Sequence, residues 1–241
     1  MLIYGINPTT EALRAGTVSR IWTSAGGPRV ARLVDRARRA GVTVQQLDAV
    51  ELERLAPGAA HQGVAADVVD PAPHTVQDLL RDVAAPLIVV LDGIEDPRNF
   101  GAVARTAEAA GADGLIHQTR RSAPLGATAH KAAAGALAHL RCAAVVNISR
   151  ALDELRRAGV WTIGLDQDAP QPYHRLDLTG SIALVLGAEG RGLRRLVRER
   201  CDWLAQIPMR GRVASLNVSV AAGVALFEAV RQRAGATSSG R

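Results

Sequence analysis

The sequence predicts an α/β protein with two domains, and three observations lead to this prediction. Short apolar runs of strand length alternate with segments of helical periodicity along most of the chain. The segment Asp70-Pro71-Ala72-Pro73-His74 interrupts both periodicities, and its prolines favour an extended connection. Residues 86–91 are continuously apolar, which is typical of a strand buried on both faces of a parallel sheet. We expect a small domain at 1–70, a linker at 71–85 and a larger α/β domain at 86–235.

The elements of the first domain follow from local patterns. Residues 2–4 predict a strand, and Asn7-Pro8 is typical of the start of a helix. Residues 21–22 and 42–44 predict further strands on either side of an arginine-rich amphipathic helix at 28–40. A short helix at 51–55 and a strand at 64–69 complete this domain.

In the second domain, strands are predicted at 86–91, 114–116, 143–146, 160–164, 182–186 and 205–207, with helical patterns between most of them. This order favours a parallel sheet with ligand chemistry at the carboxyl ends of its strands. The pattern at 217–233 predicts a final amphipathic helix, and we expect the tail at 236–241 to be disordered.

The composition excludes several classes of protein. The chain has 241 residues, of which 48% are hydrophobic and 22% charged, and this rules out a disordered or collagen-like protein. No apolar run is long enough for a membrane span, and we expect no signal peptide. The two cysteines, Cys142 and Cys201, are far apart and outside any CxxC pattern, so neither a disulfide framework nor a metal site is expected. We expect a cytoplasmic protein.

The charge is unevenly distributed along the chain. The formal net charge is +6, but residues 1–80 carry eight basic and eight acidic residues, so the whole excess lies in the last two thirds. Arginine offers a permanent charge and a bidentate fork to phosphate, and this favours a nucleic-acid partner. Genome composition is an equally weighted explanation, because Lys131 is the only lysine. Aromatic residues make up only 3%, too few for a base-stacking platform.

The first candidate motif directly follows the apolar strand at 86–91. It places Asn99 at the start of a helix, where its side chain caps free N–H groups or binds a ligand. Arg105 follows on the same helix and leans back toward its beginning, so the two side chains can share one site. The alternative is that Asn99 is only a cap and Arg105 only a solvated arginine.

The second motif, Gly187-Ala188-Glu189-Gly190-Arg191-Gly192, follows another predicted strand. Its glycines suit a backbone that approaches a ligand closely. The order GxxGxG differs from the dinucleotide-binding GxGxxG, and no lysine follows as in a P-loop, so NAD and ATP are disfavoured. Glu189 either pairs with an arginine or orients a polar substrate.

The third motif follows the last predicted strand. A loop with Arg210 and Arg212 leads to Ser215 or Asn217, either of which can cap the final helix. Each of these motifs alone is typical of helix capping. Their recurrence at three strand ends instead indicates one polar site at one edge of the sheet.

Together the motifs closely resemble those of the SpoU/TrmH family of RNA ribose 2′-O-methyltransferases, which have the forms NxGAxxRTA, GxExxG and SLNVSVA. The resemblance extends over essentially the whole chain and is strongest with the branch that methylates guanosine in 23S rRNA. It includes Tyr4-Gly5-Ile6-Asn7-Pro8, His61-Gln62-Gly63-Val64 and the end of the last helix. The resemblance implies an L30e-like RNA-binding domain followed by a SPOUT domain with a deep trefoil knot, typically in a homodimer with its sites near the subunit interface.

The resemblance also implies the cofactor and the site residues. The methyl donor would be S-adenosylmethionine, bound by backbone at Gly187, Ile207 and Leu216, with Asn217 nearby. Arg105 matches the family's catalytic arginine, and the supporting polar residues are Asn99, Glu189, Ser215 and Asn217. No metal is needed, because a sulfonium methyl group is already activated. A guanidinium is hard to deprotonate in a protein, so we favour Arg105 as a group that holds phosphate and stabilises the developing alkoxide, rather than as a base.

The chain departs from the family pattern at a few positions, and these bear on RNA contacts. Gly126 stands where the branch usually has Asn, while Arg210 and Arg212 are additional arginines that can replace a lost polar contact. Lys131 is interpreted as a phosphate contact, with a plain surface role as the alternative. His61 is either an RNA contact or a structural histidine.

The leading hypothesis is therefore a methyltransferase acting on a guanosine of 23S rRNA in the peptidyl-transferase region, or in the assembling large subunit. Two alternatives stay open. One is a ribose methyltransferase for tRNA, or for rRNA in antibiotic resistance, because the motifs report the donor and the ribose but not the RNA. The other is a catalytically silent RNA-binding or ribosome-assembly protein.

Overall fold

The computed structural model describes residues 1–24, 26–58, 61–69, 74–119 and 126–238. The proline-containing break predicted at 70–74 therefore lies, except for His74, outside the described residues. Residues 239–241 of the predicted tail lie outside them as well.

The first domain is a four-stranded sheet with helices packed against it. Its strand order is β1-β4-β2-β3, in which only β2 and β3 are parallel. The strands are β1 (Leu2–Tyr4), β2 (Val18–Thr23), β3 (Thr43–Gln46) and β4 (Val64–Val68), and the helices are α1 (Ile6–Arg14), α2 (Pro28–Arg39) and α3 (Ala49–Leu55).

Two features of the sequence explain helices of this domain: the spacing of apolar residues in α2 and the glycine that precedes α1. In α2 the buried residues Val30, Leu33 and Ala37 recur at helical spacing and face the domain core. Helix α1 begins at Ile6, one residue before the predicted start at Asn7-Pro8, because Gly5 turns the chain with a positive φ of 97°. The predicted α/β character of the first domain is confirmed.

The second domain is built on a parallel sheet of six strands in the order β10-β8-β9-β5-β6-β7. Its central strands, β5 and β9, are continuously apolar because helices cover both faces of the sheet. The strands are β5 (Leu87–Asp92), β6 (Gly114–Gln118), β7 (Cys142–Val145), β8 (Trp161–Leu165), β9 (Ile182–Gly187) and β10 (Trp203–Ala205). The predicted parallel sheet is confirmed.

The helices of the second domain create a separate hydrophobic core on each face of the sheet. One core contains Phe100 and Val103 with Leu226, and the other contains Leu79, Leu152 and Val197. The helices are α4 (Val76–Leu80), α5 (Pro97–Ala109), α6 (Ala127–Ala133), α7 (Ile148–Arg157), α8 (Arg195–Arg200) and α9 (Val218–Ser238).

Three predicted boundaries are wrong. The expected linker at 71–85 contains α4, which a capping box of Thr75 and Asp78 begins and whose Leu79 is fully buried. Strand β10 ends at Ala205 and does not include 206–207, because the chain leaves the sheet before Pro208. Helix α9 reaches Ser238, inside the tail predicted as disordered at 236–241, because no proline interrupts it and Ala234 and Ala236 favour a helix.

Two further findings concern the predictions, made from the composition, about membrane spans and cysteines. Among the described residues, no helix is long and apolar enough to cross a membrane. Cys142 and Cys201 are free thiols, and burial raises the pKa of each to about 12. A thiol with so high a pKa stays protonated and is a poor nucleophile at neutral pH.

Candidate active site

The candidate site lies where β5, β9 and β10 end. Asp92, the last residue of β5, pairs in register with Gly187, the last residue of β9. All strands of this sheet run in parallel, so the three loops that carry the predicted motifs leave from the same edge.

The first motif begins α5, but its cap differs from the expected one. The carboxylate of Asp96 accepts a hydrogen bond from the backbone N–H of Arg98 at 2.8 Å and caps the helix, with Pro97 at the first helical position. Of the two roles considered for Asn99, capping is therefore filled by Asp96. The Asn99 side chain instead lies beside the third motif.

Asn217 joins the three motifs. Its side-chain oxygen accepts hydrogen bonds from the backbone N–H of Ser219 at 2.9 Å and from the Ser219 hydroxyl, which caps α9. Its Nδ2 donates to Oδ1 of Asn99 at 3.1 Å and to the carboxylate of Glu189. The structure thus brings together Asn99, Glu189 and Asn217, which are separated by up to 118 residues in sequence. Ser215 lies exposed just before this cluster.

The glycine-rich loop after β9 folds tightly over the end of its strand. The backbones of Ala188 and Gly192 exchange two hydrogen bonds, of 3.1 and 2.8 Å. A Cβ atom at Gly187 would lie 2.1 Å from the carbonyl carbon of Gly192, so no other residue fits there. This closed turn presents Glu189 at the surface next to Asn217.

A buried ion pair that sequence reasoning missed holds this loop in place. Asp92, fully buried, accepts hydrogen bonds from the backbone N–H of Arg194 at 2.8 Å and from Nε of the same arginine at 2.7 Å. The signal in the sequence was a carboxylate at the end of a continuously apolar strand, which needs a partner when it is buried. The partner lies 102 residues away and no local pattern indicates it.

The segment 207–216 after β10 leaves its backbone open. Within the described residues, the backbone N–H and C=O groups of this segment form no hydrogen bonds with other backbone groups. Ile207 and Leu216, at the two ends of the segment, are half-buried, whereas Val213 between them is exposed. Free backbone donors and acceptors beside apolar side chains are typical of a small-molecule site.

Arg105 does not contact this cluster in the described structure. It lies six residues beyond Asn99 on α5, a rise of about 9 Å. Its exposed side chain lines a cleft between the two domains. Asn99 and Arg105 therefore have different neighbours within this chain, and their sharing of one site stays a prediction.

The residues predicted to contact RNA lie at separate places. Lys131, on α6, is exposed, with its Nζ 6.0 Å from the centre of the Tyr4 ring. Arg210 and Arg212 are exposed in the open segment 207–216. The ring of His61 accepts a hydrogen bond from the backbone N–H of Gly63 at 3.0 Å through Nδ1, and its Nε2 lies 3.2 Å from Glu53, which is the geometry of a structural histidine. In the part of the chain that the structure describes, no group of acidic, histidine and cysteine side chains could hold a metal ion.

Two family models match the chain. The model described as SpoU rRNA Methylase family matches residues 86–227, and the model described as RNA 2'-O ribose methyltransferase substrate binding matches residues 2–74. The two matches correspond to the parallel-sheet domain and to the four-stranded domain.

Similar proteins extend over nearly the full chain. The 23S rRNA (guanosine-2'-O-)-methyltransferase RlmB of Pseudomonas aeruginosa is 43% identical over 239 residues, which cover 96% of this chain and 96% of that protein. The RlmB protein of Xylella fastidiosa is 45% identical with the same coverage. Among solved structures, the SpoU methyltransferase AviRb from Streptomyces viridochromogenes in complex with AdoMet is 28% identical, with a TM-score of 0.83, and covers 98% of this chain and 91% of its own.

Proposed function

Because the chain belongs to the SpoU rRNA methylase family, we propose that it transfers a methyl group from S-adenosylmethionine to the ribose 2′-hydroxyl of a guanosine in 23S rRNA. The similarity to RlmB proteins along nearly the whole chain supports the RNA and the nucleotide. The family resemblance supports the peptidyl-transferase region as the target, either in naked rRNA or in an assembling large subunit.

The single observation that carries this proposal is the hydrogen-bonded cluster of Asn99, Glu189 and Asn217. It unites one residue from each of the three family motifs at the carboxyl edge of the sheet. A capping role alone explains the oxygen of Asn217, but not its donated bonds to the other two motifs. The cluster offers a set of oriented polar groups beside the open segment 207–216.

The residues around this cluster fit S-adenosylmethionine. Gly187, Ile207, Leu216 and Asn217 would hold it, using the free backbone of the segment 207–216 and the backbone of the tight turn that begins at Gly187. When bound, this cofactor supplies an activated methyl group, so the chemistry needs no metal. The protein then has to orient the ribose oxygen in line with that group and exclude water from it.

In this mechanism, Arg105 holds the phosphate beside the target ribose and stabilises the negative charge that develops on the 2′-oxygen. Asn99, Glu189 and Ser215 orient the hydroxyl and its surroundings.

Arg105→Ala is expected to lower kcat/KM by about 10²–10³-fold, the range found when a transition-state donor is removed. Arg105→Lys keeps the charge but not the bidentate fork, and should retain part of the activity. Methylation by Arg105→Ala at the wild-type rate with normal RNA affinity would contradict both the base and the phosphate role.

We also propose an L30e-like first domain, a deep trefoil knot in the second and a cytoplasmic homodimer. The family resemblance supports all of these. Val213 in the segment 207–216 and Val220 and Phe227 on α9 are each at least 51% exposed, which supports an apolar interface that includes these residues. In a dimer, Arg105 of one protomer would be free to approach the cluster of its partner.

Mapping of 2′-O-methyl groups by mass spectrometry in rRNA and tRNA from a strain that lacks the gene tests the proposed function. Loss of one 2′-O-methylguanosine from 23S rRNA, restored by the wild-type gene, is expected. Loss of a methyl group from a tRNA alone would overturn the proposed substrate.

A further inference from the structure

A cleft of about 610 Å³ separates the two domains on the side of Arg105. Helices α1 and α2 of the first domain form one wall. The opposite wall consists of the last turns of α5 and the chain that follows α6. The family motifs at the strand ends account for the cluster around Asn217 but not for this cleft.

The cleft is lined by arginines from both domains. Arg29, Arg32 and Arg36 are spaced three and four residues apart on α2, so they form one stripe along the helix, next to the buried Leu33. Arg105 faces the same space from α5. The stripe spans about 10 Å along the helix axis, which is longer than one phosphate group.

These arginines lack the carboxylate partners found on many other arginines of this protein. Arg29 donates to the side-chain amide of Asn7 at 2.9 Å, which leaves its charge uncompensated. For Arg32, Arg36 and Arg105, no carboxylate of the described residues lies within ion-pair distance. By contrast, Arg156 and Arg198 lie 2.8 and 2.6 Å from aspartates. Five arginines line the cleft, Arg14 included, against the two glutamates Glu11 and Glu108, so the cleft carries a net positive charge.

One of the two acidic residues that line the cleft, Glu11, is already engaged. The carboxylate of Glu11 bonds Arg14 at 2.5 Å and the ring of His139, from the second domain, at 3.3 Å. Its side chain packs over Gly135, where an added Cβ would lie 2.3 Å from Cγ of Glu11. Glu11 thus links the two walls and holds the arginine stripe opposite Arg105.

We infer that this cleft binds the sugar–phosphate backbone of the RNA strand next to the target nucleotide, with Arg29, Arg32 and Arg36 on successive phosphates. The inference rests on the proposed function for the identity of the ligand as substrate RNA. Guanidinium groups spaced along a helix suit a chain of phosphates, which provides an acceptor for each of them. The first domain, neutral in sum, then contributes phosphate contacts because four of its eight arginines, Arg14 included, line this cleft.

The test compares two triple variants with the same change in charge. The cleft variant carries Arg29→Gln, Arg32→Gln and Arg36→Gln. The matched control carries Arg38→Gln, Arg39→Gln and Arg54→Gln, which are exposed arginines of the same domain that do not line the cleft. Circular dichroism and thermal melting check that both fold, and calorimetry measures their affinity for S-adenosylmethionine.

Binding to a transcript of the peptidyl-transferase region is then measured between 50 and 200 mM salt. Loss of three phosphate contacts should reduce the slope of log affinity against log salt by about 2 in the cleft variant. The control should keep a slope close to that of the wild type, and both variants should bind S-adenosylmethionine normally. The KM for RNA should rise at least tenfold in the cleft variant, while kcat at saturating RNA changes little.

The same slope and affinity in the cleft variant and the control would overturn the inference while leaving the proposed function intact. A wild-type protein that transfers no methyl group to 23S rRNA, either naked or in assembling large subunits, would instead contradict the proposed function, and the salt slopes would still decide the role of the cleft. A cleft variant with normal RNA affinity but low kcat would also contradict phosphate binding there.

Discussion

Asn217 uses the two ends of its side-chain amide for different purposes. The oxygen caps α9, and the nitrogen bridges Asn99 and Glu189. Asn217→Asp keeps an oxygen for the cap but removes the donor and adds a carboxylate beside Glu189. Asn217→Ala removes both functions.

We expect Asn217→Ala to lose about 1 kcal/mol of unfolding free energy through the missing cap, and Asn217→Asp to lose less. Both variants should lose most methyl transfer, because both lack the bridging donor. Urea denaturation and single-turnover methylation provide the two measurements. Full activity in Asn217→Asp would show that the bridge to Glu189 is not needed for the reaction.

Asp92 is expected to stabilise the glycine-rich loop through its bonds to Arg194. In Asp92→Asn, an amide N–H donor replaces one acceptor oxygen and faces an N–H donor of Arg194. This change should cost about 1–3 kcal/mol of unfolding free energy. Affinity for S-adenosylmethionine should also fall, because Gly187, which would hold the cofactor, begins this loop.

Asp153→Asn provides the matched control for Asp92. Asp153 also pairs with an arginine, Arg200, but is partly exposed. Its substitution should cost less than about 1 kcal/mol, as for most surface ion pairs. Equal losses in the two variants, measured by urea denaturation, would argue against a special role for Asp92.

Gly126 is the N-cap residue of helix α6, and no side chain caps this helix. Space around Gly126 is open and its φ of −87° is accessible to any residue. Gly126→Asn should therefore raise the unfolding free energy by a few tenths of a kcal/mol, whereas Gly126→Ala should not raise it. A gain in the alanine variant equal to that in the asparagine variant would point to the unfolded chain rather than to capping.

The elements that were predicted well are those with strong local signals. The continuously apolar β5 and β9 and the arginine-rich α2 are each evident from a few neighbouring residues. Helix α4 was missed because only five residues form it, and its burial depends on packing against α7 and β6. The end of β10 was misplaced because its pairing with β8, rather than its composition, determines where it stops.

For the whole molecule, the sequence predicted which motifs form the site but not every side chain that completes it. Asn99, Glu189 and Asn217 were expected together, and their geometry supports this. The buried pair of Asp92 and Arg194 and the cleft with Arg105 depend on contacts between distant parts of the chain, which no local spacing reveals. The neutral charge of residues 1–80 likewise hid the arginine stripe of α2 that lines this cleft.

The most direct test incubates the purified protein with isotopically labelled S-adenosylmethionine and unmodified 23S rRNA, followed by digestion to nucleosides. The account predicts label in 2′-O-methylguanosine at a single position, and loss of that label in Arg105→Ala and Asn217→Ala. Label in a methylated base, label in tRNA but not in 23S rRNA, or no transfer either to naked 23S rRNA or to assembling large subunits by a protein that binds the cofactor would contradict it.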